Sequence, residues 1–472
     1  MGQEIRTSHF TQADFETFGI RLRQETELLE SWFRDGAFAS THKVGGFELE
    51  TYLVADDLNP APIAESFLER LADPLVVPEL ATFNAEINGT PQRLRGDALS
   101  RLAAELEATW ERCARTAAGL QARLAMIGIL PTVRPEYLDM AHMSPLNRYR
   151  AINEQILQLR RRRPFTLNIR GKDHLFLEPQ NVMTESATTS FQIHLQVSPE
   201  EAGQLYNWSK VLAAPMVAVS ANSPFLFGCD LWAESRIPLF EQAFSVGGPF
   251  FRERATFGLH YVEDSVLECF RTNLDRFPVL LPQVVDEPPE RLAHLRLHNG
   301  TIWRWNRPLI GFDAAGTPHL RIEHRVMPAG PTIADAIANA ALYFGTVQSF
   351  AGEMAHPRQR LPFNIAKGNF YQAARDGLDA EVEWFDRRPS PLRRVLADDL
   401  LPRASRGLTA LGIAAAETER WLGIIAGRLR TGQTGSAWQR AWIARHGRDL
   451  TALTAAYLEN QESGLPVHQW PL

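Results

Sequence analysis

Strict alternation of polar and apolar residues in four short segments restricts the folds open to this 472-residue chain. Residues two apart point to the same side of a β-strand, so each segment predicts a strand with one apolar and one polar face. The segments are 44–54 (VGGFELETYLV), 83–88 (FNAEIN), 191–197 (FQIHLQV) and 320–326 (LRIEHRV). Strands of this kind are typical of an antiparallel sheet that packs one face on a core.

The polar faces of these strands carry carboxylates, amides, one imidazole and guanidinium groups, but no lysine. Their members are Glu48, Glu50, Asn84, Glu86, Asn88, Gln192, His194, Gln196, Arg321, Glu323 and Arg325. For any one strand, a face turned to water is a sufficient account. The joint pattern favours a binding site, because neighbouring carboxylates repel one another unless a cation lies between them.

Carboxylates and an imidazole on one face are suitable ligands for Mg²⁺, with Mn²⁺ as the alternative. Such ions would bridge nucleotide phosphates, and Arg321 and Arg325 would neutralise phosphate oxygens. The chain has no GxxxxGK[ST] motif and no GxGxxG motif that opens a helix after a strand. Any use of ATP would therefore not depend on a P-loop or a dinucleotide-binding fold.

Helical periodicity accounts for most of the remaining sequence. It predicts helices over 11–35, 62–72, 96–126, 148–163, 199–219 and 332–351. Beyond about residue 390 the chain reads as helix almost throughout, with a break at 431–435 (TGQTG). We expect an α+β fold in which 1–390 form a catalytic domain and 391–472 form a helical C-terminal extension packed on the outer face of the sheet.

Composition and charge limit the binding partners and the cellular compartment that we expect for this protein. A net charge of −6 offers no general attraction to nucleic acid or to an anionic membrane. Three widely spaced cysteines form neither a disulfide framework nor a zinc motif. The first residues lack the apolar core of a signal peptide, and no long apolar run predicts a membrane span. We expect a cytoplasmic protein.

Seven segments together resemble the type-2 glutamate–cysteine ligases, a carboxylate–amine ligase family related in fold to glutamine synthetase. They are GFELETYLV (46–54), NAEINGTP (84–91), FQIHLQV (191–197), LAAPMVAVSANSPFLFG (212–228), HNGTIWRWNRPL (298–309), HLRIEHRVMPAGPTIADAIANAALY (319–343) and AKGNFYQAARDGLDAEV (366–382). Any one of these segments alone is weak, but their shared order across residues 40–390 is specific.

The resemblance implies a curved, mainly antiparallel sheet that forms a funnel, with helices on its outer side. It also implies ATP and Mg²⁺ as cofactors and small-molecule substrates, namely glutamate or a similar carboxylate and an amino acid or other amine. ATP would phosphorylate the carboxylate, and the amine would then displace phosphate to give an amide. The oligomeric state is left open, with a homodimer as one option.

The resemblance further assigns expected roles to individual residues. Metal ligands would be Glu48, Glu50, Glu86, His194 and Glu323; catalytic arginines would be Arg321 and Arg325; nucleotide or substrate contacts would be Arg236, Asn299 and Arg307. One position departs from the family, because many members have His-x-His where this chain has Gln192 followed by His194. That departure leaves the fold prediction intact and the acceptor amine open.

Two alternative functions remain open from the sequence. One is a guanidino or amino-acid kinase that uses the same sheet, and the other is a non-catalytic relative that binds nucleotide. Two further motifs receive structural interpretations: the basic run Arg160–Arg163 suits the C-terminus of a helix, and Trp303 and Trp305 suit packing at a strand edge.

Overall fold

The computed structural model describes residues 4–39, 42–353 and 356–472. Its strands in chain order are β1 (Val44–Ala55), β2 (Val76–Pro78), β3 (Asn84–Asn88), β4 (Gln92–Arg93), β5 (Ala122–Ala125), β6 (Leu167–Arg170), β7 (His174–Leu177), β8 (Phe191–Val197), β9 (Phe225–Leu226), β10 (Cys229–Asp230), β11 (Asn306–Phe312), β12 (Pro318–His324), β13 (Glu381–Glu383) and β14 (Pro389–Pro391). All four predicted strand segments are therefore strands.

The main sheet is antiparallel and curls into a half-barrel. Its strands lie in the order β11–β12–β8–β1–β3–β2, and both β4 and β5 pair with β1. The long strand β1 is central because it pairs with β8 on one side and with β3, β4 and β5 on the other. The predicted α+β class with a curved antiparallel sheet is confirmed.

Helices fill the space around the sheet. They are α1 (Gln12–Asp35), α2 (Ala64–Leu71), α3 (Ala98–Ala118), α4 (Asn147–Leu159), α5 (Pro199–Ser220), α6 (Arg236–Ala243), α7 (Leu267–Arg276), α8 (Ala293–Gly300), α9 (Ile333–Ala351), α10 (Pro357–Arg360), α11 (Phe363–Asp376), α12 (Leu392–Val395), α13 (Leu401–Leu411), α14 (Ala415–Thr431), α15 (Gly435–His446) and α16 (Leu450–Glu462). Within the described part of the chain, no helix is both long enough and apolar enough to cross a bilayer.

Three predicted boundaries are wrong. The helix predicted over 148–163 ends at Leu159, because Arg161 and Arg162 adopt left-handed backbone conformations. The other two are wrong for reasons of tertiary structure. The helix predicted over 96–126 ends at Ala118, and residues 122–125 instead form β5 because they pair with Tyr52–Ala55 of β1. The strand predicted over 320–326 covers Pro318–His324, so Arg325 lies just beyond its end. The backbone N–H of Arg325 still donates to the carbonyl of Trp305, 3.0 Å away, which keeps the side chain beside the sheet.

The apolar face of the sheet packs on α5 and α9, which are almost wholly buried. Helix α9 begins where the sequence predicts, after Thr332, whose hydroxyl caps the helix by accepting from the N–H of Asp335 at 3.2 Å. Helix α13 then packs on α9 at a distance that only glycine allows. A Cβ atom on Gly407 would lie 1.8 Å from the carbonyl oxygen of Gly345.

The C-terminal helices make buried contacts with the rest of the chain. Arg428 of α14 lies 2.8 Å from the Asp335 carboxylate of α9, and the Tyr457 hydroxyl of α16 donates to the Met126 carbonyl at 2.8 Å. The helix break predicted at 431–435 is present, since α14 ends at Thr431 and α15 begins at Gly435. The division of the chain near residue 390 stays a prediction.

Candidate functional site

The polar face of the sheet carries the predicted site residues side by side. In the strand register, Glu48 lies opposite Gln192, Glu50 opposite Glu86, and His194 opposite Glu323. Arg307 on β11 lies opposite Glu323 as well. Because side chains alternate along each strand, the intervening residues point to the helices and these side chains share the opposite face. The local pattern and the strand register together therefore build one polar surface.

The carboxylates of Glu50, Glu79 and Glu86 form an acidic cluster at one end of this surface. One oxygen from each lies within 4.8 Å of the others. Burial raises the pKa of Glu50 to about 7, and the carboxylate of Glu79 adds to the rise. Burial and then the carboxylate of Glu48 hold the pKa of Glu86 well above its usual value. A divalent cation would relieve this mutual repulsion.

Glu48, His194 and Glu323 form a second cluster next to the acidic cluster. Their candidate ligand atoms also lie within 4.8 Å of one another. The His194 Nε2 atom is 3.3 Å from Glu48 Oε1, although neither ring nitrogen makes a hydrogen bond with a described residue. All three side chains are buried. A buried imidazole in contact with one carboxylate and close to a second is a suitable metal-binding arrangement.

Glu323 differs from the other carboxylates because two arginines neutralise it. Arg307 donates to both of its oxygens, from Nε at 2.9 Å and from Nη2 at 3.0 Å, and Arg325 Nη1 lies 3.2 Å from Oε2. Although burial opposes the effect, Arg307 and Arg325 lower the pKa of Glu323 to about 2. Glu323 is therefore an ionised carboxylate that a metal ion would share with guanidinium groups.

Gln192 links the acidic cluster to Arg325. Its Oε1 accepts from Arg325 Nη1 at 2.7 Å, and its Nε2 donates to Glu50 Oε1 at 2.9 Å. The second oxygen of Glu50 accepts from the N–H of Ser190 at 2.7 Å. Gln192 thus holds the Glu50 carboxylate and the Arg325 guanidinium group in place. An amide can do so because it has both an acceptor oxygen and a donor N–H group.

The remaining predicted residues lie near this surface with different surroundings. Nε of Arg321 is buried without a hydrogen-bond partner among the described residues. Arg236 is buried and bonded to Glu234, with Nε and Oε1 3.2 Å apart. Asn299 donates to the Pro308 carbonyl at 3.0 Å and accepts from Asn273 Nδ2 at 2.9 Å. Asn299 therefore supports strand β11, whereas Arg321 has a donor left for a ligand.

Three cavities overlie the polar face and share lining residues. A cavity of about 80 Å³ contains the acidic cluster, and one of about 240 Å³ reaches His194 and Arg321. The largest, of about 490 Å³, is lined by Arg307, Arg321 and Glu323 together with apolar residues of α8 and β11. Glu48 lines the first two of these cavities, and Arg307 lines the first and the largest. The surface therefore runs from an acidic end to a basic end beside room for a nucleotide-sized ligand.

Sequence reasoning missed two acidic residues of the site. Glu79 directly follows the three-residue strand β2, which is too short to show alternation, and it completes the acidic cluster. Glu185 lies in a short helical turn and lines the same cavity. Burial, followed by the carboxylates of Glu79 and Glu50, raises its pKa well above the usual value. At both Glu79 and Glu185, a single carboxylate within a segment of apolar or small residues was the sequence signal that could have indicated a site residue.

The two tryptophans of the TIWRWN segment pack against protein. Trp303 stacks on Phe244 with ring centroids 4.2 Å apart, and both residues line the acidic cavity. Trp305 is buried, and its indole N–H donates to Glu241 at 2.7 Å. Trp303 therefore helps to form the wall of the acidic cavity, whereas Trp305 packs inside the protein.

Comparison with curated proteins finds a relative that is named as a glutamate–cysteine ligase. A curated relative from Rubrobacter xylanophilus, named as a candidate glutamate–cysteine ligase 2-1, is 28% identical over 287 residues, which is 60% of this chain and 66% of that protein. The chain therefore spans slightly less than two thirds of the relative's length. Neither the kinase nor the non-catalytic alternative is favoured by these comparisons.

Two solved structures share the fold at 12% identity. The glutamate–cysteine ligase of Francisella tularensis in complex with AMP has a TM-score of 0.54, with 90% of each chain covered. The bifunctional glutathione synthetase of Pasteurella multocida has a TM-score of 0.58, with 93% of this chain and 55% of that chain covered. At this identity the likeness speaks for the fold alone.

A protein-family comparison extends over nearly the whole described chain. The model of glutamate–cysteine ligase family 2 matches residues 44–455, which include every predicted site residue and most of the C-terminal helices. The order of motifs, the half-barrel sheet and this match agree, and the predicted family is confirmed. The chain belongs to glutamate–cysteine ligase family 2.

Proposed function

We propose that this protein uses ATP and divalent metal to join a carboxylate, glutamate in the first instance, to the amine of a small molecule. The observation that carries the proposal is the pair of metal-ligand clusters on one sheet face, Glu50–Glu79–Glu86 and Glu48–His194–Glu323, with arginines beside them. Membership of the ligase family and a fold shared with a ligase in complex with AMP support it.

The residues present fit divalent cations. The ligand atoms within each cluster lie within 4.8 Å of one another, and burial together with neighbouring carboxylates raises the pKa values of Glu50 and Glu86. Glu50, Glu79 and Glu86 would hold one Mg²⁺, and Glu48, His194 and Glu323 a second. Bound Mg²⁺ would offset the negative charge of the nucleotide phosphates.

The arginines would act on the phosphoryl group and the carboxylate that receives it. Gln192 and Glu323 orient Arg325 through bonds to one nitrogen, Nη1, and this leaves the other nitrogens of the guanidinium to meet phosphate oxygens. Arg321 has an unpartnered Nε toward the basic end, where it would meet an anionic group of a substrate. Holding both reactants in this way is the main contribution that a protein makes to phosphoryl transfer.

The proposed reaction has two steps. A carboxylate oxygen attacks the γ-phosphorus of ATP, the bond to the bridging oxygen breaks, and ADP leaves. The amine nitrogen then attacks the carbonyl carbon of the acyl phosphate, inorganic phosphate leaves with the bonding electrons, and the amine loses a proton. The walls of the cavity, including the stacked Trp303 and Phe244, would exclude the water that hydrolyses such an intermediate.

The test is ADP release by purified protein with ATP, Mg²⁺ and glutamate, while single amines including cysteine are added in turn. We expect one amine to stimulate ADP release, with the matching amide detected by mass spectrometry. Glu48→Gln should abolish this activity, and Glu65→Gln, a change at an exposed carboxylate of α2, should not. ADP release that needs no amine and gives a phosphorylated product would instead identify a kinase.

The substrate pair is the part of the proposal that the departure at Gln192 affects most. Where many members of the family have a second imidazole, this chain has an amide that bridges Glu50 and Arg325. The panel of amines should therefore extend beyond cysteine to other amino acids and simple amines. The cytoplasmic location and the oligomeric state stay predictions from the sequence.

A further inference from the structure

A second large cavity lies away from the polar face of the sheet and is strongly basic. It has a volume of about 440 Å³ and is lined by Arg160, Arg161, Arg163, Arg252 and Arg254. No carboxylate is among the lining residues in the part of the chain that the structure describes. A local excess of five positive charges is unusual in a chain whose net charge is −6, and it calls for an anionic partner.

Two of these arginines are buried and are held by backbone carbonyls. The guanidinium of Arg160 donates to the carbonyls of Arg163, at 3.1 Å, and Ser245, at 2.5 Å. Arg254 is 1% exposed and donates to the carbonyl of Thr301 at 3.0 Å. Burial lowers the pKa of Arg254 to about 9. Carbonyl groups fix the positions of both guanidinium groups, but they do not neutralise the charges.

The other three lining arginines are exposed. Arg161 and Arg162 both have left-handed backbone conformations, with φ of 53° and 54°, and they turn the chain just after α4. This turn lets Arg161 and Arg163 line the cavity, while Arg162 forms an ion pair with Glu154 at 2.5 Å and does not line it. The basic run therefore does more than end a helix, since three of its four arginines line one cavity.

One carboxylate, that of Glu253, lies close to Arg160 and offsets part of the positive charge, but it is not among the residues that line the cavity. Its oxygens accept from the Ser245 hydroxyl at 3.0 Å and from the N–H of Val246 at 2.8 Å, which hold the carboxylate beside the cavity. Gly247 lines the cavity with φ of 69°, and a Cβ atom there would come within 3.3 Å of Arg160 Nη1. Glycine at this position therefore keeps open the space in front of a buried guanidinium group.

We propose that this arginine cavity binds a small molecule that carries at least two oxyanion groups, either phosphoryl or carboxylate. Guanidinium groups bind both kinds of group through paired N–H donors, and the volume is in the range of small-ligand sites. The cavity is separate from the sheet face, although Arg254 bonds to the carbonyl of Thr301, which lines the largest cavity there. The inference does not depend on the proposed ligase reaction.

The experiment measures binding of two probes, inorganic pyrophosphate and citrate, to the full-length protein in metal-free buffer by equilibrium dialysis. We expect saturable binding that weakens as salt is added, because salt screens exposed charges. The double variant Arg161→Ala/Arg163→Ala should lower the affinity of this site by about tenfold or more. Arg162→Ala is the matched control, since it removes an adjacent arginine that does not line the cavity, and it should bind normally.

Glu48→Gln separates this site from the proposed active site and should leave the binding unchanged. Tighter binding of pyrophosphate would identify a phosphorylated ligand, and tighter binding of citrate a polycarboxylate. The proposal is overturned if neither probe shows saturable binding, or if the double variant, shown by thermal unfolding to be folded, binds like the wild type. It is also overturned if Arg162→Ala weakens binding as much as the double variant.

Discussion

Replacing Arg428 with methionine should lower the free energy of unfolding by about 3–5 kcal/mol. Arg428 is 1% exposed and its Nη2 lies 2.8 Å from Asp335 Oδ1, while Nη1 donates to Asn339 Oδ1 at 2.6 Å. Methionine fills much of the same space, so the main loss is the positive charge. The substitution would leave the fully buried Asp335 carboxylate without its cation, and an unpaired buried charge is far less stable than a paired one.

Equilibrium unfolding in urea, followed by both tryptophan fluorescence and circular dichroism, would measure this loss. Arg430→Met is the matched control, because Arg430 lies exposed on the same helix and its replacement should change stability by less than about 0.5 kcal/mol. The double variant Arg428→Met/Asp335→Asn removes both charges and should recover a large part of the loss. A single variant that costs less than about 1 kcal/mol, or a double variant that costs the sum of both single variants, would refute the reasoning.

The same experiment bears on the proposed division of the chain near residue 390. Arg428 belongs to the C-terminal extension, whereas Asp335 and Asn339 belong to α9, which packs on the sheet. If the extension is packed on the catalytic domain as we propose, the two probes should report one transition that shifts as a whole. An early transition confined to the C-terminal helices would show that the extension unfolds by itself.

Three further predictions concern the sheet face. Burial raises the pKa of Glu50 from 4.5 to about 7, so the native state holds the proton more tightly than the unfolded state. The metal-free protein should therefore lose up to about 3 kcal/mol of stability as the pH rises from 4.5 to 7, and Glu50→Gln should flatten that slope in thermal unfolding. An unchanged slope would contradict the assignment. Glu79→Gln should raise the Mg²⁺ concentration needed for half-maximal ADP release by about tenfold or more, and the control Glu65→Gln should not. An unchanged Mg²⁺ requirement would exclude Glu79 as a ligand. Arg325→Lys should lower kcat by about 10²–10³-fold, with a smaller change in KM for ATP. The reason is that a lysine cannot bond to Gln192 and also present a planar pair of donors to phosphate. A near-normal kcat would exclude a role for Arg325 in the transition state.

Local patterns were sufficient for the main strands and for most helices. Alternation in 44–54 and 191–197 predicts strands that the structure confirms within one residue, because the side-chain period of a strand is a property of its own backbone. The same period placed Glu48 and Glu50 on one face and the intervening leucine on the other. The start of the helix at Thr332 and the break at 431–435 were also predictable, since both depend on neighbouring residues only.

The predictions from sequence failed where contacts with a distant segment of the chain decide the local conformation. Residues 122–125 have helix-compatible composition, but they become a strand because β1 offers them an unpaired edge. Glu79 gave no signal, since β2 is three residues long and is defined by its pairing with β3. The arginine run after α4 likewise looked like a helix end until the segment around Gly247 completed a cavity beside it.

The sequence by itself determined which residues share a face, the class of fold and, through the order of its motifs, the family. Only the tertiary structure decided which carboxylates meet: that Glu79 joins Glu50 and Glu86, and that Arg307 and Arg325 neutralise Glu323. The physical reason is that side-chain periodicity is local to each strand. Register across the sheet, and the charge that surrounds each group, depend instead on segments far apart in the chain.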